Sequence, residues 1–116
     1  MIPVLYTSLQ QNDDFGLTFA TYKYSATLGA TTDTTLTVPG GASRYKALIR
    51  CKPGVLVWVA LNGTAAVPAG ASFAATTSEL IPSYATLCRE VKAADVLHFY
   101  TATASTDVSV VFYALD

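Results

Sequence analysis

An all-β domain, an antiparallel β-sandwich of jelly-roll type with about seven or eight strands, is the fold class this sequence predicts. Hydrophobic residues repeat with a period of two in several windows, and turn-forming Gly, Pro and Asn recur about every ten residues. No window carries a capped amphipathic helix. A closed barrel is the alternative that the same pattern allows. At 116 residues the chain has the size of one domain with its own core. Residues 1–16 stand apart as an N-terminal arm or edge segment, leaving residues 17–116 as the sandwich.

In chain order, the apolar residues 2–6 come first and the polar run Gln10, Gln11, Asn12, Asp13, Asp14 follows. Such a terminus suits an edge strand, folded back or added to a neighbour's sheet, and equally a frayed end. Ile2, Val4 and Tyr6 are its candidate interface residues. Residues 17–24 and 34–38 read as strands, with turns at 27–33 and 39–43. In residues 45–52, Tyr45, Ala47, Ile49 and Cys51 alternate with Lys46, Leu48, Arg50 and Lys52, the pattern of a half-buried strand. Pro53-Gly54 supplies the fixed φ and then the positive φ of a type II turn. Residues 55–61 are apolar on both faces and rich in β-branched side chains, which predicts a central strand. Asn62-Gly63 predicts a type I′ hairpin turn with a return strand over residues 64–67. Residues 71–80 give no strand signal, and residues 78–80 have room for one short helical turn. Residues 87–91, 96–101 and 108–115 complete the strands, the last two joined by a hairpin loop over 102–107.

Composition narrows the function classes. Hydrophobic residues make up 52% of the chain and charged residues only 13%, against about 25% charged in ordinary soluble domains. So little charge fits a surface covered by partners, or an exterior dressed in Thr, Ser and Ala. Basic residues are scattered singly and the net charge is −1, so nucleic-acid binding is not expected. The longest apolar run, residues 55–61, falls far short of the roughly 20 residues of a membrane span. No basic residue precedes Lys23 and no stretch has signal-peptide length, so a cytosolic origin is expected. The Asn62-Gly63-Thr64 sequon therefore reads as turn chemistry. Cys51 and Cys88 sit in separate strand segments; a buried pair of free thiols and a disulfide both remain open.

Residues with catalytic potential are few. His98 is the single histidine and lies between Val96 and Tyr100 in a strand, where a structural, hydrogen-bonded role is expected. The acids Asp13, Asp14, Asp33, Glu79, Glu90, Asp95, Asp107 and Asp116 fall mostly in turns and termini. Gly40-Gly41 lacks the lysine and helix of a phosphate loop. Neither an enzyme, a cofactor nor a metal site is expected. A cupin-type enzyme would need several histidines, which this sequence lacks. Binding surface remains: Trp58 and Leu56 lie opposite Val55, Val57 and Val59, and are candidate interface residues unless the domain covers both faces of that strand itself. The seven tyrosines suit interfaces or sugar stacking.

Residues 55–82, VLVWVALNGTAAVPAGASFAATTSELIP, with VKAADVLHFYTA at 91–102 and VSVVFYAL at 108–115, resemble small virion structural proteins of tailed bacteriophages. The resemblance covers the C-terminal half and rests on strand-and-turn texture. It implies a capsid decoration or cement protein located in the virion and made in the host cytoplasm. Its implied partners are the major capsid protein or other virion proteins and further copies of itself, with no membrane and no nucleic acid. The rival expectation is a carbohydrate- or receptor-binding module of a tail or head fibre, with Trp58 and the tyrosines stacking on sugar rings.

Overall fold

The computed structural model describes residues 19–68 and 72–115. They form eight strands: β1 (Tyr22–Leu28), β2 (Thr34–Thr37), β3 (Arg44–Cys51), β4 (Val57–Leu61), β5 (Ser78–Leu80), β6 (Leu87–Lys92), β7 (Val96–Thr101) and β8 (Thr106–Ala114). Among the described residues there is no helix. The strands make two four-stranded antiparallel sheets, sheet I in the order β1-β8-β3-β6 and sheet II in the order β2-β7-β4-β5.

The period-two pattern decides which side chains enter the core. Tyr45, Ala47 and Ile49 of β3, Val108, Val110 and Phe112 of β8, and Leu87 and Val91 of β6 point inward from sheet I. They meet Val57 and Val59 of β4 with Leu97 and Phe99 of β7 from sheet II. Phe112 is fully buried, with edge-on contacts to the rings of Tyr45 and Tyr24, both at 5.8 Å between centroids. Two buried hydroxyls near one end of the core are paired. Thr101 Oγ1 donates to the Leu56 carbonyl (2.9 Å) and Thr106 Oγ1 to the Thr103 carbonyl (2.7 Å), so neither leaves an unmet polar group in the interior.

Several expected connections differ from the observed ones. Gly54 has φ of +82°, as the Pro53-Gly54 turn requires, but the chain then crosses to the other sheet and β4 begins only at Val57. Asn62-Gly63 does not form a type I′ hairpin. Asn62 has φ of +55° while Gly63 is not in the left-handed region, and residues 64–67 are not a strand. The Asn62 side chain is engaged elsewhere: its Oδ1 accepts from the Val96 N–H (2.8 Å) and its Nδ2 donates to Asp95 Oδ1 (3.1 Å). That engagement ties the end of β4 to the start of β7. Strands β7 and β8 belong to different sheets, so residues 102–105 link the sheets and are not a hairpin loop. Ser78–Leu80 is a strand paired with β4, not a helical turn. The first strand runs Tyr22–Leu28, later than residues 17–24. The arm, residues 1–16, lies outside the described residues.

Candidate binding faces

His98 and Trp58 project from the outer face of sheet II, where β7, β4 and β5 bring His98, Ala60 and Ser78 into one row and Tyr100, Trp58 and Leu80 into the next. The segment leaving β4 is tied across the first row. The Ala65 N–H donates to Asp33 Oδ1 (3.2 Å), the Ala66 N–H to Ser78 Oγ (3.0 Å), and Thr77 Oγ1 to the Thr64 carbonyl (3.2 Å). Ala65 is 1% exposed and Ala60 is buried beneath this cover. Asp33 Oδ2 in turn shares a hydrogen bond with His98 Nδ1 at 2.8 Å. One carboxylate therefore holds both the imidazole and the covering segment. No group of three or more His, Cys, Asp or Glu side chains occurs among the described residues in an arrangement that could hold a metal.

Trp58 is half-buried, and its indole Nε1 is buried without a hydrogen-bond partner among the described residues. Leu56, 60% exposed, lies in the link ahead of β4 and not on the strand. Together with Leu80, also exposed, and Tyr100 they make the apolar end of sheet II. Val57, Val59 and Ala60 are all buried, so both faces of β4 are largely covered within the domain. Ile2, Val4 and Tyr6 lie outside the described residues.

The outer face of sheet I was harder to foresee. Strand registers place Lys23, Val111, Leu48 and Cys88 in one row, and Tyr113, Lys46 and Glu90 in the next. A third row holds Ser25, Ser109 and Arg50. Leu48, Val111 and Tyr113 form a half-buried apolar centre, while Lys46, Arg50, Ser109 and Glu90 around it are exposed. Six of the seven basic residues belong to this face, Lys23, Arg44, Lys46, Arg50, Lys52 and Lys92, against two acids among the described residues, Glu90 and Asp107. Arg44 pairs with Glu90 at 3.3 Å, and Thr27 Oγ1 donates to Asp107 Oδ1 at 2.8 Å. At one end Ser25, Thr27, Arg50, Lys52, Asp107 and Ser109 line an open depression of about 740 Å³. Four of these cations, Arg44, Lys46, Arg50 and Lys52, share one face of β3 and the residue after it, and the strand order adds Lys23 and Lys92. The alternation in β3, which already sets Lys46, Leu48, Arg50 and Lys52 opposite the core residues, was the available signal.

Both cysteines are free thiols. Cys88 is exposed on the outer face of sheet I, not buried, whereas Cys51 is half-buried at the core edge, where burial pushes its thiol pKa up. Neither a protein-family model, a curated protein nor a solved structure matches this chain.

Proposed function

We propose that this domain is a structural protein of a tailed-phage particle, a decoration or cement protein that docks on the assembled head through the outer face of sheet I. The observation that carries the proposal is the make-up of that face. An apolar centre of Leu48, Val111 and Tyr113 is rimmed by charged side chains, the anatomy of a protein-binding surface. The apolar centre and the interspersed Glu90 and Asp107 fit a protein partner better than a phosphate backbone, which calls for an unbroken cationic track. The strand order β1-β8-β3-β6 against β2-β7-β4-β5 supports the jelly-roll form of the sandwich, since eight strands in two four-stranded sheets is that fold's arrangement and one found in capsid proteins. Self-association into a closed homo-oligomer on the particle completes the proposal.

The row Leu80, Trp58, Tyr100 favours a second reading, a sugar-binding module in a fibre. The two readings separate by experiment. A decoration protein sediments with assembled heads at saturable stoichiometry and delays genome release on heating. A sugar-binding module instead gives glycan-array signals that Trp58→Ala abolishes. Failure of the protein either to sediment with heads or to alter genome release removes the decoration assignment.

A further inference from the structure

The cations on the outer face of sheet I are matched at one end and unmatched at the other. Where β3 begins, Arg44 pairs with Glu90 at 3.3 Å, and Asp95 Oδ2 accepts from the Lys92 N–H at 2.9 Å, which sets a second carboxylate beside Lys92. Where β3 ends, Arg50 and Lys52 make no ion pair among the described residues. The registers fix what surrounds them. Ser25 of β1 and Ser109 of β8 lie level with Arg50. One row further on, Thr27 stands opposite Asp107, and the Lys52 N–H donates to the Asp107 carbonyl at 2.9 Å. Rows on one face of a sheet lie about 7 Å apart and neighbouring strands about 4.8 Å, so the two cations border a patch only a few residues wide. All of these residues are exposed. Ser25, Thr27 and Ser109 are short where Arg50 and Lys52 are long, and that step in height accounts for the open depression of about 740 Å³.

We propose that this depression is a carboxylate-binding site that receives an Asp or Glu side chain of the docked partner protein, an inference that rests on sheet I being the docking face. The chemistry of the lining selects the ligand. A guanidinium donates two parallel N–H bonds to a carboxylate, an ammonium adds a point charge, and the hydroxyls of Ser25 and Ser109 supply further donors. Asp107 is the one acid in the lining among the described residues, and its Oδ1 already accepts from Thr27 Oγ1 at 2.8 Å. Two cations against one carboxylate leave a single surplus positive charge. One incoming carboxylate cancels that surplus, whereas a phosphate dianion overshoots it and is repelled by Asp107. At the rim of an apolar centre, such a pair fixes the register of the partner more than it adds affinity.

NMR titration of the full chain with a capped tetraglutamate peptide, with capped tetraglutamine as control, tests the site separately from the docking. The glutamate peptide shifts the backbone amides of Ser25, Arg50, Lys52 and Ser109, and tetraglutamine shifts none of them. Arg50→Ala/Lys52→Ala lowers peptide affinity about ten-fold. Lys46→Ala/Lys92→Ala removes equal charge from the other end of the same face and changes it by less than about two-fold; all four residues are exposed, so both variants keep the fold. Equal losses in the two variants overturn the proposal, as do shifts spread evenly over the face, because either result means diffuse charge attraction. Tighter binding of inorganic phosphate than of the peptide overturns it in favour of a phosphate site. A gain of affinity in Asp13→Asn/Asp14→Asn overturns it in favour of the chain's own carboxylates as occupants. On assembled heads, Arg50→Ala/Lys52→Ala binds at least about five-fold more weakly than wild type, and equal binding overturns the assignment of the partner. Wild type that binds the peptide but does not sediment with heads removes the decoration reading and leaves the carboxylate site standing.

Discussion

On sheet II the segment after β4 is fastened over the outer face by Asp33 and Ser78, and it buries Ala60 as deeply as the core valines. On sheet I the equivalent positions of β3 and β8, Leu48 and Val111, stay half-buried among exposed lysines and arginines. Both faces have apolar centres, so hydrophobicity alone does not distinguish a face covered by its own chain from one without such cover among the described residues. The polar groups around the centre differ. Sheet II supplies hydrogen-bond acceptors aimed at backbone N–H groups of the covering segment, whereas sheet I supplies long cationic side chains.

The contrast is sharpest within β8, whose neighbouring residues face opposite ways. Phe112→Ala removes a fully buried ring and is expected to cost about 3–5 kcal/mol in denaturant unfolding. Val111→Ser, one residue away on the outer face, costs less than about 1 kcal/mol in the same measurement. Equal losses at the two positions would mean that the outer face of sheet I is also core. Asn62→Ala tests the closure of sheet II. It removes the bonds to Asp95 and Val96 at the root of the covering segment, with an expected loss of about 1–3 kcal/mol and faster hydrogen exchange at residues 64–67. If exchange there does not change, the cover is held by other contacts.

Two smaller effects follow from titration and exposure. The Asp95 carboxyl is held below its ordinary 3.8, first by the Lys92 backbone N–H and then by the Asn62 amide, with partial desolvation opposing them. A depressed carboxylate pKa adds stability that is complete above the ordinary value and is lost as pH falls through the depressed one. Asp95→Asn should therefore flatten the acid limb of the thermal-stability profile below about pH 4 and leave its slope near neutrality unchanged. The two thiols should separate in a maleimide time course at neutral pH, Cys88 reacting first and Cys51 lagging, because Cys51 is partly covered and its thiolate is disfavoured by burial. Equal rates would place Cys51 outside the core edge.

The sequence made the two alternating faces of β3 legible, because alternation between water and core leaves a period of two that survives without any knowledge of partners. Connections were much less legible. Six of the seven links between successive strands pass from one sheet to the other, and local turn chemistry does not record which sheet the next strand joins. Asn62-Gly63 illustrates this: the pair has hairpin propensity, but the side-chain bonds of Asn62 to Asp95 and Val96, 33 and 34 residues away, decide its conformation. The binding faces were half legible. Trp58 and Leu56 were visible as large apolar residues opposite a valine stripe, but the covering segment over sheet II was not, because residues 62–77 carry no periodic signal. The cationic rim of sheet I is legible in part, since Arg44, Lys46, Arg50 and Lys52 alternate along one segment, but its Lys23 and Lys92 come from β1 and β6, and only strand pairing brings those beside it.

Docking through sheet I is the claim on which the functional account stands, and a face-resolved binding assay tests it most directly. Purified wild-type protein, Leu48→Asp and Trp58→Ala are each titrated onto assembled heads of the parent particle and quantified after sedimentation. The account predicts saturable binding by wild type and Trp58→Ala, and a loss of at least about ten-fold in affinity for Leu48→Asp with unfolding stability nearly unchanged. Binding retained by Leu48→Asp and lost by Trp58→Ala would contradict it and move the functional surface to sheet II.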